Sequence, residues 1–79
     1  MSTFENTAVG TVVRNLRKEK GLSQEVLSGL SGLARSHLAM IESGKKHPNF
    51  ETVWKIANAL DLTPHELVME IEKEIEKNF

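Results

Sequence analysis

The sequence predicts an all-α fold of five short helices, and three observations carry that expectation. Apolar residues recur with a 3.6-residue period along the whole chain, whereas strand-like alternation never survives more than a few positions. Glycine, or a capping residue such as Ser, Asn or Thr, punctuates the chain every few turns. With 79 residues and no cysteine, the chain has room for one small core and no disulfide to staple it. Residues 1–79 are therefore expected to form a single domain.

The elements follow in order. A first helix is expected from Asn6 or Thr7 to Lys20, with Val9, Val12, Val13 and Leu16 on one face and Gly21 as its stop. Gly10 inside it costs about 1 kcal/mol relative to Ala, so it should mark a close helix contact. Ser23 is a natural N-cap for a two-turn second helix that ends near Ser31, before Gly32. After the turn Gly32-Leu33-Ala34, a third short helix should span Arg35 to Ser43, bury Leu38 and Ile41, and stop at Gly44. Asn49 caps a fourth helix whose stripe is Phe50, Val53, Trp54, Ala57 and Leu60, with Trp54 read as core. Thr63-Pro64-His65-Glu66 has the pattern of a capping box with Pro at the first helical position, opening a fifth helix over residues 64–78.

The net charge of −1 hides an asymmetry. Residues 1–60 carry eight Lys or Arg against five Glu, whereas residues 61–79 carry two Lys against Asp61 and five Glu. The chain thus reads as a mildly basic body with an acidic C-terminal helix. The N-terminus lacks the basic start and apolar run of a signal peptide, and no apolar stretch approaches membrane-spanning length. A cysteine-free chain of this kind is expected in the reducing cytoplasm, with no membrane partner. His37, His47 and His65 are too scattered for a metal site, and no nucleophile–base set, carboxylate pair or phosphate-cradling loop occurs. Neither an enzyme, nor a cofactor, nor a small-molecule ligand is expected.

Two short helices joined by a three-residue turn with glycine, backed by further helices, describe a helix-turn-helix. The particular residues sharpen this: Leu22-Ser23-Gln24-Glu25, Gly32-Leu33-Ala34-Arg35-Ser36-His37-Leu38, Ile41-Glu42-Ser43-Gly44-Lys45, Pro48-Asn49-Phe50-Glu51-Thr52 and Ile56-Ala57-Asn58-Ala59-Leu60. In that order they resemble the lambda-repressor-like (Xre) helix-turn-helix family over residues 9–68. The chain departs from the family pattern at Ala34, where a Ser or Thr cap is common, and at Ser28-Gly29-Leu30-Ser31.

The resemblance implies double-stranded DNA as the partner, with the third helix in the major groove. It places Arg35, Ser36 and His37, and Met40 one turn later, at base edges. Arg35 has the fork geometry that matches guanine O6 and N7. It also implies that Gln24 meets the DNA backbone and buttresses the third helix, and that Arg17 and Glu42 form a structural ion pair; Ser23 offers both a cap and a phosphate donor. Ser43, Lys45, Lys46 and Asn49 occupy the loop after the third helix, where side chains and backbone N–H groups can reach phosphates.

One recognition helix reads few base pairs, so a homodimer on two half-sites is expected, making the chain a transcriptional regulator. Val68, Ile71 and Ile75, on an apolar ridge of the fifth helix, are the expected dimer interface. The competing expectation, favoured by the low net charge, is a protein-interaction module of the same fold with little DNA binding.

Overall fold

The computed structural model describes residues 5–77, and five helices follow one another: α1 (Asn6–Glu19), α2 (Gln24–Ser31), α3 (Arg35–Glu42), α4 (Phe50–Ala59) and α5 (Pro64–Lys77). No strand occurs among the described residues, and no helix is long and apolar enough to cross a membrane. Local chemistry sets most boundaries. Ser23 Oγ accepts from the Val26 N–H at 3.0 Å, and Asn49 Oδ1 from the Thr52 N–H at 2.8 Å, satisfying donors that have no partner within the helix. Thr63 and Glu66 cap α5 reciprocally: the Glu66 N–H donates to Thr63 Oγ1 at 3.2 Å and the Thr63 N–H to Glu66 Oε1 at 2.8 Å. That bond from the Thr63 backbone, with its hydroxyl, holds the Glu66 carboxyl below its usual pKa.

Gly32 closes α2 in the left-handed conformation, φ 69°, and the Leu33 N–H reaches back to the Ser28 carbonyl at 2.9 Å. The chain is thereby turned into α3 within three residues. Gly10 works differently: a Cβ there would overlap the carbonyl oxygens of Ile41 and Glu42. Its missing side chain lets the C-terminal end of α3 sit directly on α1, the close contact expected from the sequence.

The helices contact one another in a closed ring. α1 packs on α3 and α5, α2 on α3 and α4, and α4 on α5. Leu27, Leu38, Ile41, Ile56, Leu60, Leu67 and Val13 fill the centre and are essentially inaccessible to water. Each such side chain contributes about 1.5–3 kcal/mol through burial.

Two expectations fail in this packing. Ile71 and Ile75 are only 7% and 8% exposed, so they belong to the chain's own core. The cause is the ring: α5 lies along α1, and Leu67, Ile71 and Ile75, four residues apart, are the stripe that faces inward. They cannot form a dimer interface without unpacking the monomer. Val68 lies off that stripe and is exposed. The second failure is Trp54, which is half exposed rather than core. Thr52, Ile56, Ala57 and Leu60 take the buried arc of α4, with Val53 at its margin, and leave Phe50 and Trp54 on the adjoining outer flank.

Candidate nucleic-acid interface

The α2–turn–α3 unit presents one end of α3 to solvent. Leu38 and Ile41 anchor the helix in the core, which turns Arg35, Ser36 and Met40 outward and leaves His37 half-buried. Ala34, in the N-cap position at φ −66° and ψ 144°, has the right backbone for a cap but no side-chain acceptor. The Arg35 guanidinium makes no ion pair with the described residues and is free to take a planar, bidentate acceptor.

The opposite end of α3 is tightly held. Glu42 is only 4% exposed, and Arg17 of α1 donates to both its carboxylate oxygens, Nε to Oε2 at 2.7 Å and Nη2 to Oε1 at 3.0 Å. Arg17 Nη1 also donates to the Leu22 carbonyl at 2.9 Å, holding the α1–α2 turn. Gln24, the first residue of α2, donates from Nε2 to Glu42 Oε1 at 3.0 Å. Arg14 Nη2 reaches the Glu42 backbone carbonyl at 3.4 Å. Burial alone would push the Glu42 carboxyl up, but the hydrogen bonds from Arg17 and Gln24 and the charges of Arg17 and Arg14 outweigh it. Its pKa lies below the usual value. The hydrogen bond to Glu42 in turn raises the Arg17 pKa against the opposing effect of burial. Arg17 and Glu42 thus form the ion pair that the resemblance implied.

The loop after α3 gathers on one carbonyl. Met40 O accepts from the Lys45 N–H at 2.9 Å, the Lys46 N–H at 3.2 Å and Ser43 Oγ at 3.1 Å. The backbone donors of both lysines and the Ser43 hydroxyl are therefore engaged within the chain. The two exposed ammonium groups, by contrast, pair with no described carboxylate. Asn49 spends its side-chain oxygen on the α4 cap and keeps its amide hydrogens. Ser23 likewise accepts at Oγ and retains its hydroxyl hydrogen.

A family model for a helix-turn-helix matches residues 13–67 of the chain. The chain belongs to the helix-turn-helix family. A curated relative, an uncharacterized HTH-type transcriptional regulator y4dJ of Sinorhizobium fredii, is 38% identical over 60 residues, covering 76% of this chain and 78% of that protein. Among solved structures, the restriction-modification controller protein C.AhdI from Aeromonas hydrophila is 44% identical with a TM-score of 0.76, over 78% of this chain and 94% of that one. The controller protein C.Esp1396I, solved as a tetramer with its natural 35 base-pair operator, is 27% identical with a TM-score of 0.83, over 92% and 96% of the two chains. The chain is accordingly a DNA-binding helix-turn-helix transcriptional regulator of Xre type, not an enzyme.

One surface escaped the sequence reading. Phe50 and Trp54 meet edge to face, ring centroids 6.2 Å apart, beside Val68 and Met69 of α5. Together with Pro64 and His65 they border an open cleft of about 590 Å³. The signal was present in adjacent apolar pairs, Val53-Trp54 and Leu67-Val68: neighbours on a helix differ by about 100°, so a narrow core takes one and leaves the other outside.

Proposed function

We propose that the chain recognises a specific double-stranded DNA sequence through α3 and works as a homodimer on an operator with two half-sites. The observation that carries this reading is the asymmetry of α3. Its C-terminal end is buried and clasped at Glu42, while its N-terminal end carries Arg35 and Ser36 outward with no side-chain partner among the described residues. Arg35 would read guanine, Ser36 and His37 the neighbouring base edges, and Met40 a thymine methyl. Ser23, Gln24, Lys45, Lys46 and Asn49 would supply the phosphate contacts, whereas Ser43, expected among them, already donates its hydroxyl hydrogen to the Met40 carbonyl. Of these, the two lysines carry the electrostatic share, since only they bring unpaired charge.

The homodimer finds support on the α4–α5 face rather than on the Ile71–Ile75 ridge. Phe50 and Trp54 are 71% and 50% exposed, leaving aromatic surface on the order of 250 Å². A standard interface buries about 800 Å² per partner, so this pair would form its centre, with Val68 and Met69 beside it and Pro64, His65 and Glu72 nearer the rim. The acidic outer side of α5 lies apart from Arg35, Lys45 and Lys46 in sequence and on a different element. This fits a molecule that meets DNA with one side and its copy with another.

Substitution of Arg35 and Lys46 tests the readout. Arg35→Ala should lose about 1–3 kcal/mol on the selected operator and relax base preference, whereas Lys46→Ala should weaken all sequences alike and flatten the salt dependence by about one unit. An unchanged ratio of operator to random-DNA affinity in Arg35→Ala would remove Arg35 from the base-reading set.

A further inference from the structure

We infer that Met40 is an oxidation site, through which a peroxide lowers base readout and leaves phosphate binding in place. This rests on the DNA-binding reading above. Met40 does two separate things in the fold. Its carbonyl oxygen gathers the loop after α3, accepting from the Lys45 and Lys46 N–H groups and from Ser43 Oγ. Its side chain takes no part in that loop. It lies off the buried positions Leu38 and Ile41, is 39% exposed, and shares a helix face with Ser36 four residues earlier. Backbone and side chain thus serve different parts of the proposed interface, the lysine loop and the base edge, so a change at the sulfur can reach one without the other.

The chain has no cysteine, so no thiolate competes for a peroxide. Of the two methionines among the described residues, Met69 is as exposed as Met40, but it lies on the α4–α5 face that the proposed homodimer covers. Met40 stays open in a dimer with no DNA on it. The chemistry needs only hydrogen peroxide: the sulfur lone pair attacks one peroxide oxygen, the O–O bond breaks and an S–O bond forms. The hydroxide released takes the proton of the transferred oxygen and leaves as water, so sulfur is oxidised and the peroxide reduced by two electrons. The product is a polar sulfoxide in place of an apolar thioether. Its oxygen accepts hydrogen bonds and cannot donate, so opposite a thymine methyl it is buried without a partner. The lysine loop hangs on the Met40 carbonyl, which the oxidation leaves untouched, and attraction to phosphates persists. Two thiols, becoming a disulfide, return the thioether and release water, the reaction of methionine sulfoxide reductases.

The test treats wild type and Met40→Leu with hydrogen peroxide, maps the added oxygen to individual methionines by peptide mass spectrometry, and measures affinity for a duplex selected from a random pool and for random duplex DNA. Met40 should take up oxygen in the DNA-free protein and be protected by an excess of the selected duplex. Oxidised wild type should lose about tenfold in affinity for the selected duplex, the scale of one polar group buried without a partner. Its affinity for random DNA should stay within about threefold, because the charges are unchanged, and a methionine sulfoxide reductase should reverse the loss. Met40→Leu keeps an apolar contact without the sulfur, so it should bind as wild type does and ignore peroxide, whatever happens at Met1 and Met69. A Met40 that stays unoxidised while Met69 reacts would overturn the proposal. So would a Met40 sulfoxide with an unchanged ratio of selected to random affinity, an equal peroxide effect on Met40→Leu, or equal oxidation rates with and without the selected duplex. A wild type that enriches no sequence before any peroxide is added would instead defeat the DNA-binding reading, and the proposal with it.

Discussion

Glu42 shows how a charge can be buried in so small a core: two cation–carboxylate hydrogen bonds and one from an amide replace the water it loses. Removing one partner strands the other. Arg17→Ala should cost about 3–5 kcal/mol, because Glu42 is left charged beside the core. Arg14→Ala, at an exposed position with a long bond to a carbonyl, should stay within about 0.5 kcal/mol. Equal thermal shifts for the two variants would remove the case for the buried pair. The same site gives a pH dependence. Because the folded pKa of Glu42 is depressed, its contribution is complete above the unfolded value of about 4.3 and is lost as pH falls through the folded value. Glu42→Gln should therefore melt lower at neutral pH and lose less stability than wild type on acidification. Parallel curves below about pH 4.3 would contradict this. The Arg17–Glu42 pair was legible because the family pattern places both residues. The family pattern likewise implied that Gln24 buttresses α3, but its partner was not legible, since nothing in the spacing of positions 24 and 42 announces that the start of α2 meets Glu42 at the end of α3.

At the level of elements, the boundaries were the most readable part of the chain, because caps and glycine stops act over three or four residues. The partners of each helix depend on packing between distant segments, and there the reading failed at α4 and α5. Two predictions use the contrast between local and packed positions. Gly29 in α2 has open space where a Cβ would stand, so Gly29→Ala should raise stability by about 1 kcal/mol, while Gly10→Ala should lower it despite the same propensity gain, because its methyl meets α3 carbonyls. Thermal unfolding shifts of the same sign in both variants would contradict the account of α1–α3 packing. Ala34→Ser should stabilise α3 by about 1 kcal/mol, as its extended backbone already matches that of Ser23, and a melting temperature no higher than wild type would count against it.

On the scale of the whole molecule, the proposed two-sided protomer, with DNA on one side and its copy on the other, would account for both the uneven charge distribution and the exposed aromatic face. An apolar ridge on an amphipathic α5 suggested the wrong face because periodicity reports that a stripe is buried, never what buries it. The consequence for experiment is direct: Ile75→Asp places a charge in the monomer core and should unfold the chain, whereas Trp54→Glu, at a half-exposed position, should keep the fold and abolish self-association. Sedimentation with circular dichroism checks both, and a Trp54→Glu variant that still dimerises would move the interface elsewhere. The measurement that bears most directly on the central claim is selection of bound duplexes from a random-sequence pool by the wild-type chain. The account predicts enrichment of an inverted repeat whose half-site centres lie about 10 base pairs, one helical turn, apart. A bound pool indistinguishable from the input would contradict it.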